Sequence, residues 1–259
     1  MHPLLPDPLL LDQHDSTEAV RRLDRHGYAL LGPEALATLG RTQASALVEL
    51  HRYWNTLSPD HHLRDGGHYR HRRHGSFIRE PDSSLRAVEH RAHWQPTTYN
   101  ALHGGMLRWF EPLEAGFADN PAFLSLMGAL SDLFEQAARQ RGEFDGRWFI
   151  EVHPFRIDTL EGVGRPTPEG AHRDGVDYVA VMLAERTGIR GGESRVFQAE
   201  GPLGVRFTLD QPWSALLIDD RQVIHESTPI QPEALPGQPS HRDTLVITFR
   251  RDGFQDPAA

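Results

Sequence analysis

The chain has 259 residues, a formal net charge of −9 and no cysteine, and all 27 of its Lys and Arg residues are arginines. The length allows one large domain or two small ones. The acidic balance argues against nucleic acid as the main partner. The missing residue types exclude disulfides, thiolate metal sites and any mechanism that needs a lysine. No apolar run approaches the roughly 18 residues of a membrane span, and the N-terminal residues do not have the pattern of a signal peptide. We therefore expect a cytoplasmic protein.

The first half of the chain has the periodicity of helices. Asp15 is a candidate N-cap and Gly27 a candidate C-terminal stop for the first of them. Residues 33–57 again have a helical pattern. Between Asn120 and Gly142, apolar residues recur at helical spacing, which predicts the clearest helix of the chain.

After Gly146 the pattern changes to short segments that are rich in β-branched and aromatic residues and separated by Gly, Pro and Asp. These predicted strands are WFIEVHPFRI (148–157), VDYVAVML (176–183), ESRVFQ (193–198), GVRFTL (204–209), SALLID (214–219), QVIH (222–225) and TLVITFR (244–250). Closely spaced strands of this kind predict a β-sandwich or barrel. No Pro/Gly/Ser-rich linker separates the two halves, so we expect one α+β unit over residues 1–259.

The stretch EGAHRDGVDY contains His172 and Asp174, separated by one residue. If a strand runs through them, both side chains point to the same face and can meet at one point. His225, at the end of a short apolar run, is the best candidate for a third ligand. Two histidines and one carboxylate on one face form the triad of non-haem Fe(II) oxygenases.

Other acidic residues near these positions are assigned to different roles. Asp177 lies three residues beyond Asp174 and would face the opposite side of a regular strand. Asp219 and Asp220 fit a turn, because Asp tolerates turn geometry.

Arg242 begins HRDTLVITFR, and Thr244 shares its face in a strand. A guanidinium binds a carboxylate through two parallel hydrogen bonds, and a hydroxyl adds a further donor. The distal carboxylate of 2-oxoglutarate requires such a site. Two histidines and a carboxylate also occur at catalytic zinc, but no HExxH motif is present and Arg242 would then have no role.

Several segments between residues 66 and 251 resemble the bacterial 2-oxoglutarate/Fe(II) dioxygenases. They are more closely similar to the L-isoleucine dioxygenase group, which includes the biofilm-stress-motility A proteins. The resembling segments are GGHYRHRRHGSF (66–77), QPTTYNALHGGMLRWFEPL (95–113), EVHPFRI (151–157), PTPEGAHRDGVDYVAVML (166–183), IRGGESRVF (189–197) and DDRQVIHESTPI (219–230).

The resemblance implies a double-stranded β-helix (jelly-roll) core at residues 146–252, with residues 1–145 as mainly helical support and active-site cover. It implies iron ligation by His172, Asp174 and His225, and binding of 2-oxoglutarate by Arg242 with Thr244. The implied reaction uses O₂ to hydroxylate a free aliphatic L-amino acid, and the resemblance does not say which one.

The substrate residues are less well defined. The candidates are Tyr69, Arg70 and Arg73 in the basic cluster HYRHRRH, Tyr99 and Asn100 in TTYN, and Glu151 and His153 in WFIEVHPF. Each group has a structural alternative. HYRHRRH fits a solvated strand or loop, TTYN fits a turn, and the face of WFIEVHPF has mixed polarity at the mouth of the barrel. For Arg108, which follows Gly104-Gly105, a site role and a packing role both stay open.

Two other functions stay open at this point. One is a non-catalytic jelly-roll or cupin-type protein that binds or senses a small acid. The other is an oxygenase of the same fold that acts on a peptide or protein, while the acidic charge disfavours nucleic acid. The sequence leaves the oligomeric state undetermined.

Overall fold

The computed structural model describes residues 9–12, 15–144, 146–233 and 237–257, and these contain helices followed by a predominantly β region. The helices are α1 (Ser16–His26), α2 (Pro33–Leu39), α3 (Ala44–Glu49), a 3₁₀ helix (Leu50–Thr56), α4 (Ala115–Ala118) and α5 (Pro121–Gln140). The strands are β1 (Leu10–Leu11), β2 (Tyr28–Leu31), β3 (Ser58–Pro59), β4 (Arg70–Arg72), β5 (Gly75–Arg79), β6 (Leu85–Ala87), β7 (Trp148–Asp158), β8 (Tyr178–Thr187), β9 (Ile189–Gly191), β10 (Ser194–Gln198), β11 (Gly204–Phe207), β12 (Ala215–Asp219), β13 (Val223–Ser227), β14 (Ile230–Pro232) and β15 (His241–Arg250).

The predicted helix boundaries at α1 and α5 are confirmed. The Asp15 side chain accepts a hydrogen bond from the Glu18 N–H at 3.0 Å, and Gly27 ends α1 with a φ of 74°. The Asn120 side chain caps α5 by accepting from two backbone N–H groups, and Pro121 occupies the first turn. The capping residues therefore set these ends locally.

A ten-stranded main sheet forms the centre of the fold. Its order is β1-β2-β12-β8-β15-β7-β4-β3, with β5 bonded to β7 and β6 to β5. Two smaller sheets, β11-β10-β13 and β14-β9, complete the β structure of the described residues. The chain passes from β8 to the small sheets, back to β12, out again to β13 and β14, and back to β15. This alternation between the main sheet on one side and the two smaller sheets on the other is the topology of a jelly roll. The predicted α+β class with a jelly-roll core is therefore confirmed.

Residues 58–87 contribute β3 to β6, which extend the main sheet beside β7. The interpretation of the first half as mainly helical did not include them. They have two to five residues each. β4 and β5 pair with β7, which is far along the chain, and β3 and β6 pair with β4 and β5, and strands this short depend on such pairing.

Alternation along β15 separates the helical layer from the interior of the roll. Leu245, Ile247 and Phe249 belong to the core beneath the helices. The Phe134 ring of α5 lies 4.9 Å from the Phe249 ring and 4.7 Å from the Tyr178 ring. The intervening residues of β15 face a cavity on the other side. The apolar stripe of α5 therefore covers one face of the sheet and leaves the opposite face free for a site.

No helix among the described residues is both long enough and apolar enough to cross a membrane.

An ion-pair cluster joins the 3₁₀ helix to β15 on the helical side. His51 Nε2 lies 2.8 Å from Oδ2 of the fully buried Asp243, which Arg156 also binds. The Asp243 carboxylate raises the pKa of His51 against the opposing effect of burial, and Glu185 adds to the shift. His241 completes the cluster through Glu185.

We expect His51→Gln to destabilise the protein by about 1 kcal/mol at acidic pH, and by less at alkaline pH. The folded pKa is raised, so the stabilisation is fully present below the unfolded pKa of about 6.5 and is lost as pH rises through the folded value. Urea unfolding of both proteins across this range measures the difference. His68→Gln, at an exposed imidazole, is the control. A destabilisation that grows with pH would contradict the ion pair.

Candidate metal centre

The predicted strand does not run through His172 and Asp174, because β8 begins only at Tyr178. His172 instead pairs with His225 of β13 in an isolated bridge, with backbone N–O distances of 3.0 and 2.9 Å. Asp174 lies in the loop that follows. The convergence of the two side chains therefore comes from a bridge and a loop, and not from strand alternation.

Asp220 organises that loop. Its carboxylate accepts hydrogen bonds from the N–H groups of Asp174, Gly175 and Val176 at 2.9, 2.7 and 3.1 Å. Burial and the nearby Asp174 charge raise the pKa of Asp220 to about 6. From the sequence, Asp220 was assigned only to a turn. It can hold the loop because the turn before β13 packs against residues 174–176 in the folded chain.

The other nearby acids contact arginines. Asp177 accepts from Arg251 at 2.7 Å, and Asp219 is bound by Arg141. Neither belongs to the group of side chains that converge with His172.

His172, Asp174 and His225 bring their ligand atoms together at one end of the cavity. Nε2 of His225 lies 3.3 Å from Oδ2 of Asp174, and Nε2 of His172 lies 3.7 Å from Oδ1. The two imidazole centroids are 4.7 Å apart. Three ligand atoms within 4.8 Å of one another can bind a single cation.

The electrostatics of this triad favour a positive charge at its centre. Burial opposes ionisation of Asp174, yet the two histidines hold its pKa well below the ordinary value. Burial likewise opposes a charged His172, but Asp174 raises the pKa of this imidazole to about 10.

The free atoms of the triad fit a divalent metal ion. Nδ1 of His172 lies 2.9 Å from the Gly170 carbonyl, which can only accept, so Nε2 is the nitrogen that faces Asp174. Nε2 of His225 is buried and makes no hydrogen bond. The donor set of two imidazoles and one carboxylate is the one that Fe(II) oxygenases use.

A second cluster, of His74, His93, Glu151 and His153, also has the composition of a metal site. Its atoms already have partners. Glu151 Oε1 lies 3.0 Å from His74 Nε2 and 3.2 Å from His93 Nδ1, and Arg72 donates to His153 Nδ1 at 2.6 Å. Neighbouring guanidinium groups would also repel a cation, so the triad is the better metal site.

Arg242 is buried in the same cavity, and no acid among the residues that the structure describes pairs with it. Its side chain is 3 % exposed, and Nε and Nη2 make no hydrogen bond. Burial lowers its pKa to about 10, and Arg186 adds a further positive charge nearby. Gly192 packs closely here, because a Cβ at this position would lie 3.0 Å from Ile230 Cγ2 and 3.1 Å from Arg186 Nη1. A buried, unpaired guanidinium requires an anionic ligand to offset its desolvation.

The cavity lies between the main sheet and β13, with the triad and Arg242 in its wall. Its lining residues include Arg70, Arg72, His93, Gln95, Asn100, Arg108, Glu151, His153, Phe155, Glu169, Val176, Val181, Thr244, Val246 and Thr248. Four of the sequence-predicted substrate residues, Arg70, Asn100, Glu151 and His153, are in this group, and so is Thr244.

The other three predicted substrate residues lie outside the lining. The Tyr69 hydroxyl donates to Asp65, and its ring packs in a separate apolar cluster. Arg73 donates to the carbonyls of Thr56 and Pro112. The Tyr99 ring packs over Gly175, where a Cβ would be 2.3 Å from it, and the side chain is 39 % exposed.

Strand alternation explains which basic residues enter the cavity. Arg70 and Arg72 pair with alternate positions of β7 and share one face, whereas Tyr69, His71 and Arg73 are offset by one residue. The sequence prediction missed Arg72. Because alternate residues of a strand share a face, a strand at HYRHRRH that places Arg70 in the cavity also places Arg72 there.

Glu169 was also missed as a substrate-site residue, whereas Arg108, for which the sequence left a site role and a packing role open, lies in the cavity lining. Arg108 reaches the cavity from a loop and donates to Gln95 at 2.8 Å. Glu169 lies three residues before His172, and its side chain is 10 % exposed. Neither position carries a periodic signal that distinguishes it from a solvated loop residue.

Comparison with known proteins identifies the family. The family model described as 2OG-Fe dioxygenase matches residues 51–248. The chain belongs to this family. Its members use Fe(II), 2-oxoglutarate and O₂, which agrees with the triad and confirms the predicted cofactors.

Solved structures support the same family. A crystal structure of a bsmA homolog from Methylobium petroleophilum PM1 is 56% identical, with a TM-score of 0.89 over 98% of this chain and 99% of that one. The predicted resemblance to the biofilm-stress-motility A group is therefore confirmed. Two more distant structures share the fold. IDO from Bacillus thuringiensis is 18% identical, with a TM-score of 0.72 over 93% of this chain and 98% of that one. The Fe(II)/α-ketoglutarate-dependent dioxygenase TqaL is 17% identical, with a TM-score of 0.64 over 91% of this chain and 87% of that one. Among curated proteins, none matches this 2OG-Fe dioxygenase chain.

Proposed function

We propose that this chain is a 2-oxoglutarate- and Fe(II)-dependent dioxygenase that hydroxylates a free aliphatic L-amino acid. The observation that carries the proposal is a shared cavity. In it, the triad of His172, Asp174 and His225 lies in the same wall as the buried, unpaired guanidinium of Arg242. A cation site and an anion site in one cavity are what iron and 2-oxoglutarate require together.

The residues would divide the work as follows. When bound, Fe(II) with 2-oxoglutarate and O₂ supplies the oxidising power for hydroxylation at carbon. His172, Asp174 and His225 would hold Fe(II) and leave its other positions open. Arg242 would bind the distal carboxylate of 2-oxoglutarate through a two-point hydrogen bond, and Thr244 would add a donor.

The substrate class is supported by the apolar part of the cavity. Val176, Val181 and Val246 line it beside the charged groups, so a small molecule with an aliphatic side chain and a polar end fits both parts. The resemblance to the L-isoleucine dioxygenase group points to the same class. We further propose that residues 1–145 and 146–252 act as one domain, in which the first supports and covers the site, and that the protein is cytoplasmic.

The test is a succinate-release assay with purified protein, Fe(II), ascorbate and 2-oxoglutarate, run against each of the twenty amino acids and matched short peptides. We expect aliphatic L-amino acids to stimulate succinate release well above the rate without substrate, with a hydroxylated product detected by mass spectrometry. If peptides stimulate succinate release and free amino acids do not, the protein is a peptide oxygenase and the proposed substrate class is wrong. Binding of 2-oxoglutarate without any turnover would favour a sensor.

A further inference from the structure

Three acids line the cavity, and they differ in how far their oxygens are satisfied. Asp174 belongs to the triad. Oε1 of Glu151 lies within hydrogen-bond distance of His74 Nε2 and His93 Nδ1, and Nη1 of Arg91 lies 3.5 Å from the same oxygen. Glu169 is different, because its Oε2 is buried and has no hydrogen-bond partner in the described ranges of the chain. Its Oε1 lies 3.7 Å from His172 Nε2. Glu169 therefore presents a free anionic acceptor beside the triad.

The arginines of the cavity show the complementary feature. Arg70 is held by the buried Asp60 at 2.7 Å, and Arg242 is assigned to the co-substrate. Arg72 donates to Nδ1 of His153, and Arg108 donates to the amide oxygen of Gln95. Each has a buried Nε–H without a partner. Neither forms a direct ion pair within the described part of the chain, so both are available to an anion.

The anionic and cationic poles line one and the same cavity. Glu169 contacts His172, while Gln95, which accepts from Arg108, places its amide nitrogen 3.4 Å from Oδ1 of Asp174. Arg108 and Glu169 also interact electrostatically across the cavity. Arg72 is held in position between two rings, at 3.9 Å from the Phe110 centroid and 4.3 Å from the Phe155 centroid. Glu169 therefore lies beside the triad, Arg108 is linked to it through Gln95, and Arg72 lines the same cavity.

We propose that Glu169 binds the α-ammonium of the substrate and that Arg72 and Arg108 bind its α-carboxylate. The cavity then selects a free zwitterion and rejects molecules that lack either charge. This inference rests on the proposed function and specifies it. The physical reason is that a buried charge without a partner is costly, and a ligand that offers the opposite charge at each pole removes that cost. An N-acylated amino acid or a residue within a peptide has an uncharged amide nitrogen, so it cannot neutralise the charge of Glu169.

The first test replaces Glu169 with glutamine, which keeps the shape and removes the charge. The probes are L-leucine and the 2-hydroxy acid with the same side chain. Their dissociation constants are measured without turnover, from the change that each causes in the visible charge-transfer band of the anaerobic Fe(II)·2-oxoglutarate protein. Iron content is measured in parallel.

We expect the unmodified protein to bind L-leucine at least about tenfold more tightly than the hydroxy acid. In Glu169→Gln, affinity for L-leucine should fall about 10- to 100-fold, while affinity for the hydroxy acid stays the same. Equal losses for both probes, no loss for either, or loss of iron would overturn the proposal, since each result places Glu169 at the metal or in a structural role. Glu161→Gln, at an exposed glutamate, is the matched control and should change nothing.

The second test concerns the carboxylate pole. Arg108→Gln should weaken L-leucine about 10- to 100-fold and leave 3-methylbutylamine, which has the same side chain without the carboxylate, unaffected. Arg108→Lys should recover part of the affinity because it restores the charge. If both probes weaken equally in Arg108→Gln, the carboxylate assignment is wrong.

The two levels of the proposal fail separately. If the unmodified protein releases no extra succinate with any amino acid, the proposed function fails whatever the variants do. If it turns over L-amino acids but Glu169→Gln keeps the same preference over hydroxy acids, only the zwitterion assignment fails.

Discussion

Replacing Asp174 with alanine is expected to remove iron from the protein and to abolish succinate release. Asp174 supplies the one carboxylate of the triad and lies 3.3 Å from His225 Nε2 and 3.7 Å from His172 Nε2. Without it, two neutral imidazoles remain to hold a divalent cation. Loss of a residue that only supports a ligand typically lowers metal affinity about 10- to 100-fold, so loss of the ligand itself should exceed about 100-fold. Iron content after dialysis and succinate release measure the two effects.

Asp177→Asn is the matched control for this prediction. Asp177 is three residues further along the same segment, but its carboxylate binds Arg251 and not the triad. The variant should keep its iron and lose only some stability, since a part-buried ion pair is weakened. Retention of stoichiometric iron by Asp174→Ala, or loss of iron from Asp177→Asn, would contradict the assignment of the ligands.

Replacing Arg242 with alanine should raise the concentration of 2-oxoglutarate needed for half-maximal rate by about 10²- to 10³-fold, with iron still bound. Removal of one partner from a buried charge pair costs about 3–5 kcal/mol, and each 1.4 kcal/mol is about tenfold in affinity. The guanidinium is buried and has no acid to bind within the described residues, so we expect its role to be ligand binding. Titration of 2-oxoglutarate at saturating iron measures the shift.

Arg242→Lys and Arg190→Gln give the comparison for Arg242. Lysine keeps the charge but loses the two-point geometry, so its effect should lie between those of arginine and alanine. Arg190 is exposed on the neighbouring β9 and pairs only with Gln231, and its replacement should leave the 2-oxoglutarate requirement unchanged. Normal binding of 2-oxoglutarate by Arg242→Ala would show that another residue anchors the co-substrate.

Local sequence signals predicted the elements whose formation depends on nearby residues. The cap at Asp15, the stop at Gly27 and the start of α5 after Asn120 are all as expected. The strands after Gly146 follow from period two and β-branched composition. Apart from the strand alternative for HYRHRRH, the strands of residues 58–87 were not predicted, because β4 and β5 form by pairing with β7, which is a tertiary contact.

The candidate site divides in the same way. Residue type and order indicated His172, Asp174, His225 and Arg242, since only certain side chains bind Fe(II) or a carboxylate. The reason offered for the first two, a shared strand face, was wrong. Asp220 holds Asp174 in a loop through backbone hydrogen bonds, and a contact across 46 residues leaves no local pattern in the sequence.

By itself, then, the sequence indicated an α+β chain with a β-sandwich or barrel half and the types of ligand, because periodicity and side-chain chemistry are properties of the residues themselves. The jelly-roll core and the family followed from its resemblance to the 2-oxoglutarate/Fe(II) dioxygenases. Only the tertiary structure decided which charged groups in the cavity have partners and which do not. Arg72 and Glu169 became candidates for substrate recognition on that basis, and Arg108 was assigned to the carboxylate. Partnering depends on which elements pack together, and burial makes an unpaired charge costly only once the surrounding chain has excluded water.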